Sequence, residues 1–391
     1  MTQSPFPAPR MGEPYLLTPG PLTTDIRVKE AMLRDWGSWD ADFRAMTKSM
    51  CDQLVALAGV SGDEFACVPM QGSGSYCVEA MLGTFVPREG KVLVQANGAY
   101  GLRAAETMRY IGRAYTLIDK GDYMPPRGDE VAAALDADPA ISHVIAIHCE
   151  TSSGILNPVA EISQAVLSRG RKLLVDSMSA FGAVDMSGIS YQAMVSSANK
   201  CIEGVPGFGF VIARKTELAA AKGNCHSLAL DVQAQWATMV TSGQWRYTPP
   251  THVVAAFLEA LRLHRDEGGV VARGARYTQN RVVMVAGMRD LGFETLLKDR
   301  WLSPIIVTFF CPADPAFVFT RFYDLMKAKG FIIYPGKLTV VDSFRIGVIG
   351  RMDQHVMRRV VQAARECLTE MRVGSAAPPA SALAERARLA D

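Results

Sequence analysis

Short apolar runs alternate with stretches of helical periodicity along most of the chain. Runs at 65–70, 91–95, 115–119, 143–148, 172–176 and 208–213 are four to eight residues long and bounded by turn residues. That length and punctuation predict buried strands. Between them, amphipathic stretches such as 102–111, 129–135 and 161–169 predict helices. Repeated strand–helix alternation predicts an α/β fold with a mainly parallel sheet covered by helices on both faces. The turns at 71–75, 97–101, 149–154 and 176–178 all follow strands, so they can meet in one crevice at the carboxyl ends.

The flanking regions extend this picture. Helical periodicity runs over 27–57, broken at Trp36-Gly37-Ser38-Trp39-Asp40. After 208–213 come helical stretches at 215–222, 253–264 and 270–291, with a less regular segment at 224–242. The long 270–291 helix is expected to bridge to a second α/β layer. That layer has strands at 302–310, 331–334 and 344–349 and helices at 314–329 and 353–371. The expected organisation is an N-terminal arm (1–17), a large domain (18–265), a small C-terminal domain (266–372) and a tail (373–391). The tail is rich in Ala, Pro and Ser and is expected to be disordered, with at most a short helix near 383–389.

Composition narrows the classes. With 391 residues, 49% hydrophobic and 20% charged, the chain has the make-up of an ordinary globular protein. A formal charge of +2 with both signs dispersed, and no basic stripe with aromatics, argues against nucleic acid as a partner. Residues 1–14 are Pro-rich without the apolar segment of a secretion signal, and no run could span a bilayer. Eight cysteines, at 51, 67, 77, 149, 201, 225, 311 and 367, include no Cys-x-x-Cys pair. They read as reduced thiols rather than a disulfide or zinc framework. A cytoplasmic protein without membrane contact is expected.

The chemistry-bearing residues fall at the predicted turns. Lys200 lies in Ser196-Ser197-Ala198-Asn199-Lys200-Cys201-Ile202-Glu203-Gly204, where small residues and backing strands would desolvate the amine and lower its pKa. An amine in that state can attack a carbonyl; the alternative is a surface lysine in a loop. Asp176 ends the apolar run Leu173-Leu174-Val175. Gln71-Gly72-Ser73-Gly74-Ser75 joins a strand to a helix, the arrangement of an anion site. It lacks the third glycine of a dinucleotide fingerprint and the Gly-Lys-Ser/Thr of a Walker loop. A plain tight turn is one reading; taken together with Asp176 and Lys200, a cup for a single phosphate at Ser73, Gly74 and Ser75 is the preferred one. Tyr100, at a turn tip, could stack on a flat ring or cap a core edge. His148-Cys149-Glu150 invites a metal reading, but consecutive strand residues point to opposite faces and no second ligand cluster exists, so no metal is expected. Arg345 sits mid-strand in Ser343-Phe344-Arg345-Ile346-Gly347; a buried guanidinium there needs either an anionic ligand or a carboxylate partner.

These residues resemble the class V, fold-type I, pyridoxal-phosphate-dependent aminotransferases. The resemblance spans about 15–371. It is carried by Leu17-Thr18-Pro19-Gly20-Pro21-Leu22-Thr23-Thr24, Arg34-Asp35-Trp36-Gly37-Ser38-Trp39-Asp40, Asn97-Gly98-Ala99-Tyr100-Gly101, His148-Cys149-Glu150-Thr151-Ser152-Ser153-Gly154, and the segments around Ser73 and Lys200. It implies pyridoxal 5'-phosphate as cofactor, Lys200 as the Schiff-base lysine and proton shuttle, and Asp176 as partner of the ring nitrogen. It further implies a phosphate cup at Ser73, Gly74 and Ser75 (where the family often has threonine at the third position), stacking by Tyr100 and contact to the ring oxygen by Ser152. Met178 and Asn199, beside Asp176 and Lys200, join the cofactor-binding set. The Trp245–Thr248 segment resembles the one that reaches a neighbouring subunit's cofactor, so a homodimer is implied, with Thr248 preferred over Thr251. Arg345 matches the arginine holding the substrate's anionic end. Within the family the likeness is to members moving the amino group of 2-aminoethylphosphonate to pyruvate, a small amine and a 2-oxo acid, by a ping-pong route. Serine– or alanine–glyoxylate chemistry on the same fold is the alternative, and a non-catalytic phosphate- or nucleotide-binding protein the second. A cysteine desulfurase is disfavoured, because Cys311 beside Pro312 is poorly suited to a mobile nucleophile.

Overall fold

The computed structural model describes residues 6, 9, 12–336 and 341–389; most of the expected arm lies outside the described residues. A seven-stranded sheet has the order Phe65–Gln71, Phe208–Arg214, Ala193–Ser197, Lys172–Asp176, Ile141–Ile147, Lys91–Ala96, Ala114–Asp119. The five strands from Ala193–Ser197 to Ala114–Asp119 pair in parallel. Phe208–Arg214 runs antiparallel to both neighbours. The reason is the connection: residues 198–207 return as a loop with no crossover helix, so the next strand must reverse. That loop carries Lys200.

Both faces of the sheet are buried. Leu173 and Val175 join one apolar cluster with Phe208, Phe210 and Phe257, while Leu174 joins the opposite one with Val94, Val195 and Met81. Alternate residues of one strand thus feed two cores, which is why these strands read as continuous apolar runs. Helix Gly74–Phe85 covers the second face and Thr251–Glu267 the first.

A separate three-stranded antiparallel sheet, Ile306–Phe310, Ser343–Gly347 and Tyr334–Pro335, forms the C-terminal layer. Phe293, Phe309, Phe322 and Phe344 build its core against helix Gln354–Met371. Strand formation starts at Ile306 rather than at 302, since Pro304 supplies no N–H for a ladder. Helix Gly269–Asp290 joins the layers: Tyr277 packs with Cys201, whereas Met284 and Met288 pack in the C-terminal core.

Two expectations at the chain ends are corrected. Tyr15–Leu16, placed in the arm, pairs in parallel with Phe331–Ile332, with Tyr15 and Leu17 buried in the C-terminal core. As far as Leu389 the tail is ordered: Ala380–Leu389 is a helix, and Ala376 and Ala382 are buried. Asp314 Oδ2 accepts from Gly374 N at 2.7 Å, and Arg386 Nη1 donates to Thr295 O at 2.6 Å. Small alanines permit close docking, and these polar ties fix the segment; composition alone registers neither. No helix among the described residues is long and apolar enough to cross a membrane.

Candidate active site

Lys200 is set by a tight turn. Glu203 N donates to Lys200 O at 2.7 Å and Gly204 N to Ala198 O at 3.0 Å. A side chain at Gly204 would meet Ala198 O at 2.7 Å, so the turn closes only with glycine there. Lys200 Nζ donates to Pro19 O at 2.9 Å, and among the described residues it forms no ion pair. Burial lowers its pKa, opposed by Cys201, Asp176 and Cys149, while the Arg345 charge adds to the lowering. The amine is thereby biased toward the neutral, nucleophilic form.

Asp176 ends its strand almost fully buried. Its Oδ1 accepts from Met178 N at 2.9 Å. Burial raises its pKa to about 6, against the Met178 hydrogen bond; nearby Glu150 adds to the rise, while Lys200 and Arg103 oppose it. Beneath it, His148 N donates to Asp176 O at 2.8 Å and the His148 ring meets Ser177 Oγ at 3.0 Å. Burial drives the His148 pKa down to about 4, so the imidazole is neutral at ordinary pH.

A cavity of about 490 Å³ opens over these groups. Asp176, Met178, Asn199 and Lys200 form one wall; Ser73, Gly74, Ser75 and Tyr100 form another. Ser73 is the N-cap of Gly74–Phe85 and makes no side-chain capping bond there. The first-turn N–H groups of that helix have no acceptor within it, so they and the dipole favour an anion at this end. A Cβ on Gly74 would lie 2.5 Å from Met178 Sδ, so backbone can line the cavity there only as glycine. Arg103 lies 5.0 Å from the Tyr100 ring and its Nη1 reaches Ser75 Oγ at 3.4 Å.

Three expected residues stand elsewhere. Ser152 is buried outside the cavity lining; its Oγ donates to Glu150 Oε1 at 2.6 Å and accepts from Ala99 N at 3.0 Å. Arg345 is buried on the C-terminal sheet, close enough to shift Lys200 electrostatically. Its Nη1 donates to Thr151 O at 2.8 Å and its Nε to Pro335 O at 3.0 Å, with the Tyr334 ring 5.0 Å away. Among the described residues it forms no ion pair, and burial lowers its pKa. Thr248 is exposed and lines a second cavity of about 420 Å³ with Gln71 and Tyr76, while Trp245 Nε1 anchors that segment on Thr47 Oγ1 at 3.1 Å.

Sequence reasoning considered Glu150 only as a metal ligand. The residue instead accepts hydrogen bonds from Tyr100 N (2.9 Å), Gly101 N (3.2 Å), Ser152 N (3.1 Å) and Ser152 Oγ, and so caps the helix bearing Tyr100. Among the described residues no group of three or more His, Cys, Asp and Glu side chains could hold a metal. The signal for this role was a lone carboxylate at a strand end among Thr and Ser, beside a second strand-end turn that opens a helix. Pro19, read only as part of a turn, supplies the lysine's acceptor.

The chain belongs to the class V aminotransferase family, whose profile matches residues 74–312. The mostly parallel sheet, and the cavity that Lys200 and Asp176 share with the Gly74–Phe85 helix end, accord with that match. The chain is 74% identical to a 2-aminoethylphosphonate–pyruvate transaminase of Rhizobium meliloti (strain 1021), over 97% of this chain and 100% of the relative. It is 51% identical to a like-named protein of Pseudomonas entomophila (strain L48), over 92% and 98%. Among solved structures, a ureidoglycine–glyoxylate aminotransferase from Bacillus subtilis superposes with a TM-score of 0.84 at 19% identity over 99% of both chains. A pyridoxamine–pyruvate aminotransferase from Mesorhizobium loti gives 0.83 at 20% identity over 98% of both.

The family's cofactor is pyridoxal 5'-phosphate, and the residues present fit it. Among the described residues the Asp176 carboxylate accepts one hydrogen bond, from Met178 N, and burial raises its pKa, so it suits a cationic ring nitrogen. The Gly74 cradle, which a Cβ would fill, suits a phosphate at the helix end.

Proposed function

We propose that the chain transfers the amino group of 2-aminoethylphosphonate to pyruvate, giving phosphonoacetaldehyde and alanine, the two substrates reacting in turn at one site. The observation that carries this reading is Arg345: a buried guanidinium near Lys200 whose described partners are carbonyls rather than a carboxylate. Such a group suits an anionic ligand, and its planar fork can take a phosphonate in one half-reaction and a carboxylate in the other. The names of the relatives at 74% and 51% identity support the same substrates.

Pyridoxal phosphate, when bound, supplies an aldehyde and an electron-withdrawing ring that makes the carbon beside the amino group acidic. Lys200 would hold it covalently, Asp176 would keep its ring nitrogen protonated, and Ser73, Gly74 and Ser75 would take its phosphate. Tyr100 would cover its ring, with Met178 and Asn199 beside it. Ser152 would act near the ring oxygen, its hydroxyl oriented by Glu150. Lys200 Nζ, freed by the incoming amine, would take the proton from the substrate carbon as general base. Its lowered pKa favours that task. We also place the protein in the cytoplasm, consistent with eight free cysteines, and read it as a homodimer in which the exposed Tyr247–Thr248 segment serves the neighbouring cofactor phosphate.

The test is a comparison of donor–acceptor pairs on purified, cofactor-loaded protein. The expected result is the highest kcat/KM for 2-aminoethylphosphonate with pyruvate. Higher values for serine or alanine with glyoxylate would replace this reading with the alternative on the same fold.

A further inference from the structure

Beneath the site lies a buried polar cluster with no part in the chemistry above. Glu203, three residues after Lys200, is almost fully buried and holds φ +63°, a left-handed conformation unusual for a residue with a side chain. Its Oε1 accepts from Arg276 Nη2 at 2.8 Å and from Tyr277 OH at 2.6 Å. Arg273, fully buried, donates through Nη1 to Cys201 O at 2.5 Å. Glu267 completes the set, 2.8 Å from Arg273 Nη2 and 2.7 Å from Arg276 Nε. The bonds to Glu203 and to Cys201 O hold the turn that presents Lys200, and Glu267 holds the two arginines among their donors.

The same residues also grip the chain just beyond Arg345. Arg276 Nη1 donates to Gly350 O at 2.6 Å and to Met352 O at 2.8 Å. Asn280 Nδ2 donates to Val348 O at 3.0 Å and Met352 O at 3.1 Å. Tyr277 OH, while donating to Glu203, accepts from Gly350 N at 3.3 Å. One phenolic oxygen therefore joins the Lys200 turn to Gly350, three residues past the Ser343–Gly347 strand that carries Arg345.

We infer that Tyr277, with Glu203 and Arg276, is a positioning device that sets Arg345 relative to Lys200. The inference rests on the roles proposed above for those two residues. Lys200 lies on the loop after a strand of one sheet and Arg345 lies within another, and each sheet has its own core. Between them a small apolar cluster with Cys201, Tyr277, Ile305 and Ile349 packs beside the polar set, whose directional bonds add a fixed register to that contact. A buried ion cluster is a poor source of net stability, because desolvating its charges offsets their attraction; its best-attested use is to impose one arrangement over others. The left-handed backbone at Glu203 fits that use, since strained conformations persist where the surroundings over-determine them.

The test uses the cofactor-loaded enzyme and ethylphosphonate, which carries the anion but no amine, with affinity measured by calorimetry. Tyr277→Phe removes only the shared oxygen and leaves the ion pairs. The expected result is about three- to tenfold weaker binding, the scale of one lost hydrogen bond. Combined with Arg345→Lys, the loss should differ from the product of the two single losses, as coupled sites do and independent ones do not. Should Tyr277→Phe fold poorly, Asn280→Ser, which loosens only the Arg345 side, should give the same non-additivity. Unchanged affinity in both variants, or additive losses, would overturn the inference. Affinity unaffected by Arg345→Lys alone would instead remove the anion-binding role on which it rests.

Discussion

The carbonyl oxygen of Pro19 accepts a hydrogen bond from Lys200 Nζ at 2.9 Å, joining residues 181 positions apart. The next residue, Gly20, has φ +127°, and a Cβ there would stand 2.8 Å from that same Nζ and 3.0 Å from Asn199 O. Gly20→Ala should therefore displace the amine and strain the backbone together. Turnover should fall more than about tenfold, the rate consequence of roughly 1.4 kcal/mol. Turnover equal to the parent's would show that the lysine does not need this seat.

Gly74→Ala tests the phosphate cradle. Its Cβ would meet Met178 at Sδ and Cε, the flexible end of that side chain. Cofactor affinity should fall, and Met178→Ala in the same chain should restore part of it by vacating the space. Equal affinity in Gly74→Ala, measured by cofactor titration, would argue against backbone at residue 74 lining the phosphate site.

How far the site was legible in the sequence depends on how each contact is made. Lys200, Asp176 and the Ser73–Gly74–Ser75 turn follow apolar runs, and strand-end turns in such a sheet share one edge, so their meeting could be read from order alone. Glu150, Pro19 and Tyr277 act across sheet, turn and helix. Each makes a hydrogen bond between a side chain and a backbone group, 50, 181 and 73 positions apart. No local period encodes such pairings. The tail was misjudged for a related reason: its docking depends on Asp314 and Thr295, far upstream.

Asp176 gives a pH prediction. Its pKa in the folded protein, about 6, lies above that of an exposed aspartate near 3.9. Between those values the folded protein binds the proton and the unfolded chain does not, so stability should fall as pH rises through this window. In cofactor-stripped protein, Asp176→Asn removes that penalty and should be more stable by about 1–3 kcal/mol at pH 8. The advantage should vanish near pH 4. Denaturant titrations at both pH values read this directly, and an Asn variant less stable at pH 8 would contradict the buried-charge account.

Glu150→Gln replaces a carboxylate that accepts from two N–H groups of the Tyr100 helix and from Ser152. An amide nitrogen facing any of those donors leaves a buried group unsatisfied, at a cost of about 1–3 kcal/mol. Removing the like charge should also lower the Asp176 pKa, to which Glu150 contributes. An unchanged unfolding midpoint would show the cap to be dispensable.

The central claim is that one amine, Lys200 Nζ, holds the cofactor. Protein loaded with pyridoxal phosphate and reduced with borohydride should carry a phosphopyridoxyl mass on the peptide containing Lys200, and the Lys200→Ala protein should carry none. A label on another lysine, or a label persisting in that variant, would contradict the account.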